Sequence, residues 1–375
     1  MQKNTNLKAY SLEDMEHYKI HGRTDVSLHP LPLFFNGSAV EVNVTGSELW
    51  IDVEAEYDVY EPWIWTTLNG SFISRQMLLP GSQSLCLFRG MSPDTVKNVK
   101  FIRETQPMPD NEACHILVNG FWSDGNFLPV PDKKLRLEFI GDSITSGEGT
   151  YGAREDTDWL PMYMGCSRNY ATMTCEALDA EYRLFSQGGW GVLCGWDNDP
   201  RHSIPSRYEQ LCGLAGGESG KRLGADRPYD FKSWQPDAVI VNLGTNDASA
   251  FNEPAWQDPE SGEVFKQRRN PDGSFHPQDL MRFEKAASDF LSMLRKNNPA
   301  SHIVWAYGML GYDLTLAITD AVNSYRRSSG DSNVAFLQLP DTTQENLGSH
   351  AHPGVRSHRR SAAVLTEYLR KRLDL

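Results

Sequence analysis

Residues 135–149 read Leu-Arg-Leu-Glu-Phe-Ile-Gly-Asp-Ser-Ile-Thr-Ser-Gly-Glu-Gly, and no other stretch limits the fold as strongly. Leu135, Leu137 and Phe139 alternate with Arg136 and Glu138, which is the two-residue period of a strand. Gly141 ends that strand at a turn with no room for a Cβ. Ser143 then falls where a strand gives way to a helix. Its hydroxyl is expected at the carboxyl end of a sheet strand, beside free backbone N–H groups and the positive end of a helix dipole. A nucleophile that must generate an oxyanion wants this location. Taken alone, Gly141-Asp142-Ser143 serves equally well as a helix start with Ser143 as N-cap. The rest of the chain separates the two readings.

Bulk properties remove several classes of function. The 375 residues carry a formal net charge of −13, which argues against nucleic acid and against an anionic membrane surface. A neutral partner such as a sugar is unaffected by that charge. The six cysteines, Cys86, Cys114, Cys166, Cys175, Cys194 and Cys212, include no C-x-x-C pair and suggest neither a disulfide framework nor a zinc site. The first ten residues lack an apolar h-region and no run is long enough to span a bilayer, so a cytoplasmic location is the expectation.

The chain changes texture once. Residues 38–127 read as short strands separated by turns. Leu49, Ile51, Val53 and Ala55 alternate with Trp50, Asp52, Glu54 and Glu56, and further strands are expected at 39–44, 63–68, 72–79, 84–88, 98–104 and 114–120. Asn69-Gly70 between two of them signals a tight hairpin. This pattern predicts a β-sandwich over residues 1–130, with Trp50, Trp63 and Trp65 either a sugar-stacking face or, as is more often the case for such residues, core or interdomain packing. A proline-broken charged stretch at 128–134 marks the boundary. From 135 to 375 strands alternate with helices: a helix over 168–180 opened by Ser167, a strand at 181–186, an apolar strand at 237–243, an amphipathic helix over 278–297, a strand at 302–307, a helix over 314–327, a strand at 333–339 and a closing helix over 354–373. That is a doubly wound α/β pattern with a parallel sheet. Residues 194–232 and 251–276 read as long loops at strand ends, where such a fold builds a substrate site.

Four loops after these strands carry chemistry. They hold Ser143, then Gly188-Gly189, then Asn246 within Gly244-Thr245-Asn246-Asp247, and finally His352-Pro353. A nucleophilic serine needs a base of suitable pKa, and histidine has one. The backbone N–H groups of Ser143 and Gly189 and the side-chain amide of Asn246 would form an oxyanion hole. Each piece has a plainer use, as helix cap, turn or packed loop histidine. Their joint occurrence, each after an expected strand, favours catalysis.

These four blocks resemble those of SGNH (GDSL-type) hydrolases. With the β-sandwich before them, Val99–Thr105 inside it, and Phe139–Gly149 in the catalytic part, the chain looks like carbohydrate esterase family two. The resemblance implies a jelly-roll-like sandwich at 1–130 and a three-layer α/β/α SGNH domain at 135–375. It implies removal of acetyl groups from plant polysaccharides such as xylan and mannan, with no metal and no cofactor. It also implies Ser143 as nucleophile, His352 as general base, and Ser143, Gly189 and Asn246 as oxyanion donors.

One position departs from the common SGNH pattern. The residue three before the histidine is Ser349 rather than Asp, so this loop supplies no carboxylate to orient His352. The resemblance suggests a main-chain carbonyl in that role, with Asp341 as a distant alternative. His350 and His358 are expected to be structural, because no carboxylate sits near them in the sequence to complete a metal site. Trp190 and Trp196 are candidates for stacking on a sugar ring. The implied partner is an acetylated oligosaccharide; the oligomeric state is not legible. A lipase-like or thioesterase activity and a non-catalytic sugar-binding role stay open at this point. The polar, glycine-rich 194–232 loop disfavours the former, and the presence of both nucleophile and base disfavours the latter.

Overall fold

The computed structural model describes residues 3–375 and divides into two compact units. The first takes the chain up to Asp132 together with Leu160–Met162 and Gln210–Tyr229. The second takes Lys133–Trp159, Tyr163–Glu209 and Asp230–Leu375.

The first unit is built from two antiparallel sheets. One orders the strands Lys8–Ser11, His115–Ser123, Glu48–Glu56 and Gly81–Arg89; the other orders Phe127–Leu128, Ala39–Val44, Lys97–Arg103, Trp63–Leu68 and Ser71–Met77. Leu49, Ile51, Val53 and Ala55 are fully buried and pack with Val40, Val42, Phe101 and Val118 in one core shared by both sheets, giving the sandwich that the alternation predicts. Burying each large aliphatic side chain there contributes about 1.5–3 kcal/mol. Asn69 and Gly70 join two strands at φ 51° and 78°, the pair of positive φ values that a type I′ hairpin requires. The tryptophans are mostly interior. Trp50 and Trp65 are buried, and the Trp50 indole donates to Glu48 at 2.6 Å.

Residues 210–229, expected among the loops of the second domain, pack with the first unit instead. Arg227 pairs with Asp25 at 2.7 Å, and the Arg23 guanidinium donates to the Gln210 carbonyl at 3.3 Å. Gly216 and Gly217 lie so close under Pro109 and Glu112 that a Cβ at either would come within 2.2–2.5 Å of them. The approach is possible only for glycine.

The second unit is a five-stranded parallel sheet in the order Ala180–Ser186, Leu135–Gly141, Ala238–Asn242, His302–Tyr307 and Val334–Gln338. From the Leu135–Gly141 strand the chain first steps to one neighbour and then reverses to the other. This creates a topological switch point, the place where open α/β sheets hold ligands. Tyr170–Leu178 and Val355–Arg372 pack together, as do Pro277–Asn297 and Thr315–Ser329. Leu137, Phe139, Ile240 and Val304 form a core with Tyr170, Ala171, Leu365 and Leu369. Phe290 of the long amphipathic helix meets Trp305 edge-on, with ring centroids 6.4 Å apart. The helix expected to open at Ser167 is capped by Asn169, whose side chain accepts from the Thr172 N–H. Residues Cys166–Arg168 form a separate 3₁₀ turn. No helix among the described residues is long and apolar enough to cross a membrane.

Candidate active site

Register brings three of the four loops level. Gly141 pairs with Ser186 on one side and with Asn242 on the other, so the strands preceding Ser143, Gly189 and Asn246 end in one row. Gly141 is glycine because of crowding: a Cβ there would fall 2.0 Å from the Thr145 hydroxyl and 2.8 Å from the Asn242 carbonyl oxygen. Ser143 opens a helix of only four residues, Ser143–Ser146, capped by the Asp142 carboxylate on the Ile144 N–H at 3.0 Å. The N-cap is therefore Asp142 rather than Ser143. Because the helix is a single turn, it offers N–H groups more than a full macrodipole. Burial, with Asp247 and Glu148 nearby, pushes the Asp142 carboxyl up to about 7.

The fourth loop folds back onto the first. The Ser349 N–H donates to the Gly149 carbonyl at 3.1 Å, and a short turn returns the chain so that the Gly348 N–H reaches the His352 carbonyl at 2.8 Å. His352 Nε2 then lies 2.8 Å from Ser143 Oγ, and its Nδ1 lies 2.7 Å from the His350 carbonyl oxygen. A carbonyl can only accept, so Nδ1 carries the proton and Nε2 presents a lone pair to the serine hydroxyl. Ser143 is 6 % exposed and His352 is half-buried.

Gly189 sits at φ 79°, a conformation that side chains disfavour, and its carbonyl accepts from the Trp196 N–H at 3.0 Å. The Asn246 amide donates one hydrogen to the Trp190 carbonyl at 2.9 Å, and an amide nitrogen has a second to offer. The neighbouring Asp247 carboxylate accepts from the backbone N–H groups of Val192, Leu193 and Cys194 at 2.9, 2.8 and 3.4 Å, locking the segment after Gly189 to the Asn246 helix. Burial pushes its pKa up to about 6 despite those bonds. The two candidate sugar contacts part company here. Trp190 is buried with its ring stacked on His202 at 5.0 Å, so it packs the loop; Trp196 is 50 % exposed.

Two expectations about the histidine loop change. Asp341 does not reach His352; its carboxylate accepts from the N–H groups of Gly311 and Thr342 at 3.0 and 2.9 Å. And a carboxylate does stand beside the histidines. Buried Glu148 lies 2.7 Å from His350 Nδ1 and 3.5 Å from His352 Nδ1. Burial pushes its pKa up, but the His352 charge, the His350 hydrogen bond and charge, and a Trp159 hydrogen bond hold it below the usual carboxylate range. The Glu148 bond in turn raises the pKa of His350. The three side chains offer ligand atoms within 4.8 Å of one another, yet the 2.7 Å contacts are hydrogen-bond lengths, with His352 Nδ1 bound to a carbonyl. Sequence reasoning passed over Glu148, although it stands between two glycines just after the Ser143 turn. His358 is interior and accepts from the Tyr170 N–H at 3.2 Å.

A GDSL-like lipase/acylhydrolase family model matches residues 137–365. An acetyl xylan esterase from the rumen bacterium Butyrivibrio proteoclasticus is 54% identical over 98% of this chain and 99% of its own, with a TM-score of 0.96. This chain belongs to the GDSL-like lipase/acylhydrolase family. A family two carbohydrate esterase from Clostridium thermocellum shares the fold at 23% identity, with a TM-score of 0.78 over 95% of this chain and 99% of its own. An acetylxylan esterase / glucomannan deacetylase from Cellvibrio japonicus is 32% identical over 49% of this chain and 46% of its own. The chain spans between 37% and 60% of the length of the curated relatives it matches. Within this GDSL-like family member, the matched stretch contains all four loops.

Proposed function

We propose that this protein is a carbohydrate O-acetylesterase that removes acetyl groups from xylan or mannan fragments. The observation that carries the reading is the 2.8 Å contact between Ser143 Oγ and a His352 Nε2 whose other nitrogen is committed to a carbonyl. Ser143 attacks the acetyl carbonyl as His352 takes its proton. The N–H groups of Ser143 and Gly189 and the Asn246 amide receive the oxyanion. His352 returns the proton to the departing sugar hydroxyl, and water, activated by the same imidazole, releases acetate from the acetyl-enzyme. Every step falls to groups of the chain itself.

The acetyl-sugar part of the reading draws on the xylan and glucomannan esterases to which the chain is similar and on exposed Trp196 beside Gly189. Its test is a panel of acetylated xylo- and manno-oligosaccharides followed by mass spectrometry, alongside p-nitrophenyl acetate and octanoate. Loss of 42 mass units per acetyl, with acetate preferred over octanoate, is the expected result. A preference for octanoate overturns the sugar reading, and an active Ser143→Ala overturns the nucleophile.

A further inference from the structure

Glu148 has no part in the steps above, yet it is a buried carboxylate in contact with the base. We propose that Glu148 is a positioning residue for His352, acting through His350 and through its own charge. The proposal rests on the Ser143–His352 reading and extends it.

Three observations meet at this residue. His350 supplies the carbonyl that accepts the His352 Nδ1 proton at 2.7 Å, and Glu148 holds the side chain of that same His350 at 2.7 Å. The two imidazoles stack with planes 4° apart and centroids at 5.5 Å, so fixing one ring restrains the other. Second, the turn that aims the carbonyl is unfavourable by itself. His350 and Ala351 both take φ 51°, the left-handed region that side chains disfavour and that persists only where the surroundings hold it. The backbone ties it through the His350 N–H to the Asp156 carbonyl at 2.7 Å, the His352 N–H to the Ser349 carbonyl at 3.0 Å and the Gly348 N–H to the His352 carbonyl at 2.8 Å; Glu148 contributes the side-chain tie. Third, Glu148 Oε1 is 3.5 Å from His352 Nδ1. When His352 becomes an imidazolium, a carbonyl can offer it only a dipole. A buried carboxylate at that distance offers a full charge where solvent screens poorly. Glu148 thus supplies from the Ser143 loop what Ser349 cannot supply from the histidine loop.

The test uses the full chain and p-nitrophenyl acetate, comparing wild type with Ser143→Ala, Glu148→Gln, Glu148→Asp and His350→Gly. Gln preserves the volume and removes the charge. Glu148→Gln is expected to lower kcat about tenfold or more with KM within about twofold of wild type, and Glu148→Asp to recover part of that loss. His350→Gly, which tolerates the left-handed turn and removes the side chain that Glu148 holds, is expected to lower kcat about fivefold. Wild-type kcat in Glu148→Gln overturns the proposal, as does equal impairment of Gln and Asp with KM rising in step. If the Glu148 variants do not fold, His350→Gly decides, and wild-type kcat there overturns it. An inactive Ser143→Ala beside a fully active Glu148→Gln removes Glu148 alone. An active Ser143→Ala removes the underlying assignment.

Discussion

A methyl group on Gly149 would lie 2.7 Å from the Cβ of His352 and 2.4 Å from the Ser349 carbonyl oxygen. His352 is seated directly on the backbone that follows the Ser143 turn, and the contact exists because residue 149 has no side chain. Its φ of 73° adds a second reason for glycine. Gly149→Ala should push the histidine loop outward, lowering kcat about 10²-fold through misplacement of one group and stability by about 1–3 kcal/mol through backbone strain. Steady-state kinetics paired with a thermal melt check this; an active, equally stable variant would contradict the seating.

The Asn246 amide has its own measurable share. With one hydrogen on the Trp190 carbonyl, the amide is held in orientation before substrate arrives. Asn246→Ala should cost about 10²–10³ in kcat, roughly 3–4 kcal/mol of barrier, with little change in KM. A loss confined to KM would place Asn246 in ground-state binding instead.

The two tryptophans should separate cleanly. Trp196 is exposed and Trp190 is packed on His202. Trp196→Ala should raise KM for acetylated oligosaccharides about three- to tenfold while leaving p-nitrophenyl acetate turnover unchanged, since an aromatic contact contributes about 0.5–1.5 kcal/mol. Trp190→Ala should instead destabilise the fold by about 3–5 kcal/mol. Denaturant titration and kinetics on both substrates distinguish the two.

His358 gives the fold an acid sensitivity of known sign. Burial, reinforced by the His352 charge and opposed by a Pro353 backbone bond, pushes its pKa down to about 3 from an ordinary 6.5. The unfolded chain therefore binds a proton here between pH 6.5 and 3 that the folded chain refuses. Stability from this group is complete above pH 6.5 and is lost as pH falls toward 3, by roughly 5 kcal/mol in all. His358→Asn keeps an acceptor for the Tyr170 N–H and removes the proton site. Urea unfolding at pH 7.5, 5.5 and 4.5 should show a shallower pH dependence in the variant than in wild type; parallel slopes would refute it.

Local pattern carried much of this protein's architecture. Period-two alternation marks the Leu49–Ala55 strand, Asn69-Gly70 marks the hairpin between Trp63–Leu68 and Ser71–Met77, and the apolar run before Asn242 marks a buried parallel strand. These signals are short-range, so the chain displays them in order. At 210–229 glycine- and charge-rich sequence says "loop" without saying which core the loop serves, and only Arg227–Asp25 and the crowding at Gly216 answer that. Trp190 and Trp196 are the same residue type six positions apart, and burial alone assigns them different work. Ser143 and His352 could be named from sequence because each stands in a recognisable local setting. Glu148 could not, because a carboxylate's role depends on what lies within 4 Å of it. His350 and His352 are about two hundred positions away along the chain, and folding alone brings them beside it.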